Sequence, residues 1–413
     1  MKRVNNIYYK ICDINNIMKY EHIVSVNTAN KKKVEKFQEH YVENIYKIRD
    51  ILMSKNYIPG EYNIFFIHEP KLRLIMSNNI QDKIINHLVA YYLLVEVFDK
   101  TFIDTTVATR VGKGTHLGLK FTKKYINDMK RCYNDNFFYL KFDISKYFYN
   151  MDHDIIKSLI KRKIKDKDAL NIINRIIDST NEDYINVKIE VLKKNEIKTI
   201  NESSLSLKEK QKRIEEVKKI PLCQKGKSAP IGSMCSQIIA VMYLDKLNHF
   251  IKEKLKIKKY ILYMDDGVLF HHDKEYLKYC KEEIRKFLIG LKLELNDKKT
   301  RVDSIKNGLD FLGFKFYINK NKIILKVRNN TKKKFKKKMR KLNCLCKNNI
   351  ISECERDIVF NSFYSHLSYG NCNNLLNKVK INIEEIDIGE NILVEQEKSI
   401  WYTLIIKIVG GST

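Results

Sequence analysis

Tyr263-Met264-Asp265-Asp266-Gly267 sits between two short apolar runs, Tyr260-Ile261-Leu262 and Val268-Leu269-Phe270. β-rich runs on either side of an acidic pair and a glycine describe a hairpin with two carboxylates at its tip. Neighbouring carboxylates on a tight turn repel each other, so the arrangement is tolerable only with a cation between them. A divalent metal is the simplest candidate.

Magnesium is held by few carboxylates and is completed by substrate phosphates, so one further acid would finish such a site. Asp143 is the candidate. It follows Phe137-Phe138-Tyr139-Leu140 and Phe142, a strand buried on at least one face, and it opens Asp143-Ile144-Ser145-Lys146-Tyr147-Phe148, which leads into a helical segment. An acid at the end of one strand can then lie beside acids at the tip of a hairpin. That is the geometry of two-metal nucleotidyl transfer, in which one ion activates a 3′-hydroxyl and the other neutralises a leaving pyrophosphate. Taken alone, an Asp-Asp-Gly turn is more often an ordinary hairpin.

At these residues the chain resembles the reverse transcriptases. Phe-Asp-Ile-Ser-Lys-Tyr-Phe is similar to their motif A and Tyr-Met-Asp-Asp to their motif C, in the right order and separation. The resemblance implies an α+β right-hand polymerase of fingers, palm and thumb, with a ferredoxin-like palm. It implies Mg2+, or Mn2+ in its place, held by Asp143, Asp265 and Asp266, with Ile144 in the same metal set. Asp143 and Asp265 are expected as the main ligands, supported by Asp266. Phe148 aligns with the residue that screens the sugar 2′ position, where a bulky ring excludes ribonucleotides; a buried core aromatic is the bland alternative.

Further matches extend over roughly residues 60 to 380. Ile64-Phe65-Phe66-Ile67 reads as a strand and Glu69 to Ile75 as a second, whose alternation puts Lys71 and Arg73 on one face. Such a pair can clamp a triphosphate, or be two solvated charges. Asn79 to Lys100 carries an amphipathic helical pattern through Ile80, Ile84, Leu88 and Tyr92. Arg110-Val111-Gly112-Lys113-Gly114-Thr115-His116 resembles a stretch that precedes motif A in bacterial enzymes and sits near the template; His116 is given no chemical role. Asp152-His153-Asp154 reads as helix-capping groups rather than metal ligands.

Ile231-Gly232-Ser233-Met234-Cys235-Ser236-Gln237 resembles motif B, running into an apolar helix. Small residues there let backbone approach the template base and primer end. Group II intron enzymes have Gln-Gly-x-x-x-Ser-Pro; the Ile-Gly-x-x-x-Ser-Gln variant is typical of diversity-generating retroelement enzymes and of defence-associated and abortive-infection relatives. Losing the glutamine amide lowers the expected base-selection fidelity. Leu293 to Thr300 matches motif D, whose lysine, Lys299 on alignment with Lys298 close behind, protonates or neutralises the departing pyrophosphate. Leu312-Gly313-Phe314 falls in motif E, which grips the primer end.

The 413 residues suffice for two or three packed units, and nine scattered cysteines suit reduced thiols and a cytoplasmic home. A net charge of +29, from 78 basic and 49 acidic residues, fits a polyanionic partner. No run approaches a membrane span. The expected partners are an RNA template, a DNA product and dNTPs, with no membrane and with a homo-oligomer left open. The division is an N-terminal helical extension over 1–60, interleaved fingers and palm over 61–327 with a polar surface insertion at about 180–220, and a helical thumb over 328–413 with no further catalytic domain after it. Thr331 to Leu342 places apolar residues at helical spacing and lysines elsewhere, a solvated face or a duplex-binding one.

The implied activity is RNA-templated DNA synthesis. An idle RNA-binding scaffold is the rival from another class, against which stands the full carboxylate set; untemplated or protein-primed synthesis is another, and 24 tyrosines leave the priming hydroxyl open. A thumb without Val-Thr-Gly argues against a retron. An enzyme of bacterial defence with a dedicated non-coding RNA is the first expectation, a diversity-generating retroelement the second.

Overall fold

A computed structural model describes residues 3–68, 71–319 and 322–377. At its centre is an antiparallel sheet of β3 (Phe138–Phe142), β4 (Tyr260–Tyr263), β5 (Asp266–His271) and β6 (Arg301–Ser304), in the spatial order β4-β5-β3-β6. Ahead of it in the chain, β1 (Asn63–Ile67) and β2 (Arg73–Ser77) form a separate hairpin. Helices join β3 to β4, and the helix Lys274–Gly290 joins β5 to β6. The connectivity is the β-α-β-β-α-β of a ferredoxin-like sheet. β7 (Leu309–Phe311), β8 (Phe314–Asn319) and β9 (Lys322–Val327) make a third, smaller sheet.

The strand period of two assigns the two faces of the central sheet to different cores. Leu140, Phe142, Tyr260, Leu262 and Leu269 join one cluster, which also holds the N-terminal helices and the apolar helix Met234–Tyr243. Phe137, Tyr139, Ile261, Val268 and Phe270 join another, with β7–β9 and the C-terminal helices Asn329–Lys347 and Glu353–Ser368. Strand β3 is therefore buried on both faces, which accounts for its nearly unbroken apolar sequence.

The N-terminal helices are no detached appendage, because they share the first core. Their entry is tied down by Asp166, whose carboxylate accepts backbone N–H groups of Ile7 at 2.8 Å and Tyr8 at 3.0 Å. The same carboxylate caps the helix Lys167–Asp178 through Asp168 and Ala169.

Several local expectations need correction. The helical pattern from Asn79 is capped by Asn79 and runs over Ile80–Leu88, but Val89–Val95 is a π-helical stretch, followed by Glu96–Phe98 and a 3-10 turn at Asp99–Thr101. Val89, Ala90, Tyr92, Leu93 and Leu94 are buried and Tyr91 and Val95 partly so, so an amphipathic period no longer decides the winding. The second strand of the early hairpin starts at Arg73, leaving Lys71 ahead of it, while Glu69 and Pro70 lie outside the described residues. The polar segment at 180–220 is a helical hairpin, Asp183–Glu202 and Leu207–Lys218, rather than a purely surface insertion. Its Ile185 and Ile189 are fully buried against Tyr62, Ile64, Leu74 and Met76, so it backs the β1–β2 hairpin. Asp152 is the N-cap of the helix His153–Lys161, as expected, accepting the N–H of Ile155. Of the expected thumb, residues 378–413 lie outside the described residues.

Candidate active site

Register brings the acids together. Phe142 on β3 pairs with Gly267 on β5, so the next residue, Asp143, comes level with Asp266, which itself pairs with Tyr263 on β4. The turn between β4 and β5 is Met264-Asp265. Met264 takes the left-handed conformation with φ of 54°, and the Thr109 hydroxyl donates to its Sδ at 3.6 Å. The tip therefore carries one carboxylate rather than two, since Asp266 already belongs to the strand.

Gly267 is not a turn residue either. A Cβ there would stand 2.2 Å from Cε1 and Cζ of Phe142, which occupies the space a side chain would need. The glycine answers a close approach between strands β3 and β5, not a demand for unusual backbone angles.

Each carboxylate has a distinct setting. Asp143 is 5% exposed, and its oxygens accept from Lys299 Nζ at 2.8 and 2.7 Å and from Asn296 Nδ2 at 3.0 Å. Its backbone is held on both sides, the carbonyl accepting the Asn296 N–H at 2.8 Å and the N–H donating to Thr300 Oγ1 at 3.3 Å. Asp266 lies 3.9 Å from Lys141 Nζ; burial raises its pKa, and Lys141 opposes that. Asp265 is pushed up to about 6, first by burial and then by the charges of Asp143 and Asp266. Negative charge at the tip is thus incompletely balanced by the protein itself.

That imbalance, with three hard oxygen donors, suits a divalent cation of the magnesium type. Among the described residues no three His, Cys, Asp or Glu side chains close into a metal cage by themselves. Magnesium does not require one, since it is bound through one or two carboxylates with substrate phosphates completing the shell. Bound beside Asp265, such an ion would supply charge neutralisation for a phosphoryl centre and a more acidic 3′-hydroxyl.

A model of the family described as reverse transcriptase (RNA-dependent DNA polymerase) matches residues 67–316. The chain belongs to the reverse transcriptase family. It is an RNA-directed DNA polymerase, a nucleotidyltransferase of a class that uses an RNA template and dNTPs to make DNA with divalent metals such as Mg2+. No curated protein matches the chain. Among the described residues of this reverse transcriptase, no helix is long and apolar enough to cross a membrane.

The remaining expected residues fall around the acids in different ways. Phe148 is partly buried on the main core, and its carbonyl accepts the N–H of Ala229 at 2.7 Å, joining motif A to the approach of motif B. Ile231 and Gly232 meet the early hairpin: the Ile231 carbonyl accepts the Met76 N–H at 3.0 Å, and a Cβ on Gly232, whose φ is 119°, would lie 3.2 Å from the Met76 carbonyl oxygen. The close approach that the glycine permits is to β2. Lys71 and Arg73 are exposed at the far end of that hairpin. Ile144 is buried at 2% exposure, and its aliphatic side chain has no donor for a metal, so any ligand from it would be its backbone carbonyl. Leu312 and Gly313 have φ of 50° and 86° and form the two-residue turn between β7 and β8, with both central residues left-handed as type I′ turns require. Phe314, the third residue of the expected primer grip, is fully buried where β8 begins.

Sequence reasoning passed over Lys141, Asn296 and Thr300. Lys141 is two residues before Asp143 on a strand, so alternation alone places it on the same face. Asn296 and Thr300 were visible within motif D, but only the fold shows that they grip the backbone of Asp143.

Proposed function

We propose that this reverse transcriptase makes DNA in the cytoplasm from a dedicated non-coding RNA as part of bacterial defence against phage. Asp143, Asp265 and Asp266 bind Mg2+, and Lys299 serves the leaving pyrophosphate. Lys71 and Arg73 reach the incoming triphosphate, Phe148 excludes ribonucleotides, and the Leu312-Gly313 turn meets the primer end. In this reading residues 61–327 are fingers and palm, and a thumb begins at 328.

The observation that carries the biological part is the motif B turn. Its Ile231, fixed by the bond to Met76, stands where group II intron enzymes resemble one another in having glutamine. That variant accompanies defence-associated, abortive-infection and diversity-generating enzymes. A net charge of +29 and the exposed Lys333, Lys336 and Lys337 on the helix Asn329–Lys347 support a nucleic acid held along the C-terminal helices. The same motif B variant favours a diversity-generating retroelement as the second reading.

The test is to purify the chain with the RNA that accompanies it from its native locus, supply Mg2+ and labelled dNTPs, and sequence the product beside an Asp265→Ala, Asp266→Ala control. DNA complementary to one bound non-coding RNA, absent from the control, supports the proposal. Copies of a protein-coding repeat region would favour the retroelement reading. Homopolymer or protein-linked DNA would overturn templated synthesis.

A further inference from the structure

The helix Thr115–Tyr133 begins at a junction of three functional parts. Thr115 Oγ1 donates to the hydroxyl of Tyr263, beside the catalytic turn, at 3.4 Å. The next residue, His116, stacks its ring on Tyr369 with centroids 3.6 Å apart and planes 17° from parallel. Two residues on, Gly118 packs so closely under Leu312 that a Cβ would lie 2.6 Å from Leu312 Cδ1.

The C-terminal helices reach the same place from the other side. His366 sits 5.0 Å from the Phe314 ring, and a Cβ on Gly313 would lie 3.8 Å from His366 Nε2. Gly370, next to Tyr369, rests against Phe314 and the Leu325 carbonyl. One short helical start thus touches the tyrosine before the two catalytic acids, the turn proposed to hold the primer end, and the end of the helix Glu353–Ser368.

We infer that His116 is a positioning residue, and that its stack on Tyr369 fixes the C-terminal helices over the Leu312-Gly313 turn so that the primer terminus is held between additions. Tyr369 remains about half exposed, at 49%, with its ring laid on that of His116. Loss of this clasp affects how long the duplex stays and leaves the chemistry of each addition in place. The inference rests on the reading of Leu312-Gly313 as the primer turn.

The test uses the full chain with a generic RNA template and DNA primer. His116→Ala is expected to raise the dissociation rate of primer–template, and its KM, by about 3- to 10-fold, the worth of one aromatic pair. It should shorten products per binding event, while kcat at saturating primer–template changes less than twofold. His116→Phe restores product length because it keeps the ring. Tyr369→Ala reproduces the defect and serves as the independent probe should His116→Ala fold poorly. Wild-type product length in both alanine variants, or failure of His116→Phe to rescue a folded chain, overturns the clasp. Separately, a Leu312→Ser, Gly313→Ala variant with wild-type primer affinity would overturn the primer-turn reading and leave the clasp a structural contact.

Discussion

Lys299 Nζ lies 2.8 Å from Oδ1 and 2.7 Å from Oδ2 of Asp143, a forked contact made across 156 positions of sequence. The lysine side chain is half exposed, at 51%, while that of Asp143 is 7% exposed. One end of the pair is therefore buried in the protein and the other is half exposed to solvent.

Substituting that lysine separates chemistry from binding. Lys299→Ala is expected to slow single-turnover nucleotide addition by roughly 100-fold, within the usual worth of a positioned acid, with primer–template affinity unchanged. Lys298→Ala should alter the rate little. Rapid-quench measurements decide between them, and a larger loss at Lys298 would reverse the assignment.

Phe148 is the proposed screen of the sugar 2′ position. Phe148→Ala should raise incorporation of ribonucleotides relative to deoxyribonucleotides by about 10- to 100-fold, the range open to a steric contact of this size. Competition assays with paired dNTP and rNTP measure it. An unchanged ratio would make Phe148 a packing residue only, as its contact with the main core allows.

Gly267 tests the packing beneath the acids. Gly267→Ala puts a methyl where the Phe142 ring lies, at 2.2 Å, and overpacking of this kind costs about 1–3 kcal/mol. The melting temperature and the polymerase rate should fall together, since Asp266 is the preceding residue. Phe142→Leu in the same chain should recover much of both. Recovery of neither would show that the clash is not the cause.

These residues mark how far the sequence could be read. The acids, the strands that carry them and motif D were legible because their chemistry is local: an alternating apolar run, a tight turn, a lysine at fixed spacing. The purpose of the glycines was not. Gly267 lies within a strand and makes room for Phe142, while Gly232 combines a left-handed φ of 119° with a close approach to Met76, contacts set by strand register and by packing between distant segments. The helical hairpin Asp183–Glu202 and Leu207–Lys218 was obscured in the same way, because its few apolar residues meet partners more than 100 positions earlier, such as Tyr62 and Ile64. His116 offered no signal at all without Tyr369 beside it.

Asp166 gives a pH dependence. Burial raises the pKa of its carboxyl, but N–H donors from Ala169, Tyr8, Ile7 and Asp168 outweigh that and hold it below the ordinary carboxylate range. A carboxyl whose folded pKa is depressed stabilises the fold above its unfolded pKa, near 3.9 for aspartate, and that stability is lost as pH falls through the folded value. Asp166→Asn should therefore cost about 1–3 kcal/mol at pH 7, with the gap to wild type shrinking below about pH 4. Thermal melts at both pH values measure it, and an equal melting temperature at pH 7 would contradict the anchoring of the N-terminal helices by this residue.

The most direct measurement is primer extension on an RNA template with dNTPs and Mg2+, comparing wild type with Asp265→Asn. Asp265 is the acid pushed up to about 6 by burial and its neighbours, and the amide keeps its shape without its charge. Charge neutralisation by a bound metal is worth several kcal/mol, so the variant should lose at least ~1000-fold in rate while remaining folded and bound to primer–template. Extension at the wild-type rate by Asp265→Asn would contradict a catalytic centre built on Asp143, Asp265 and Asp266.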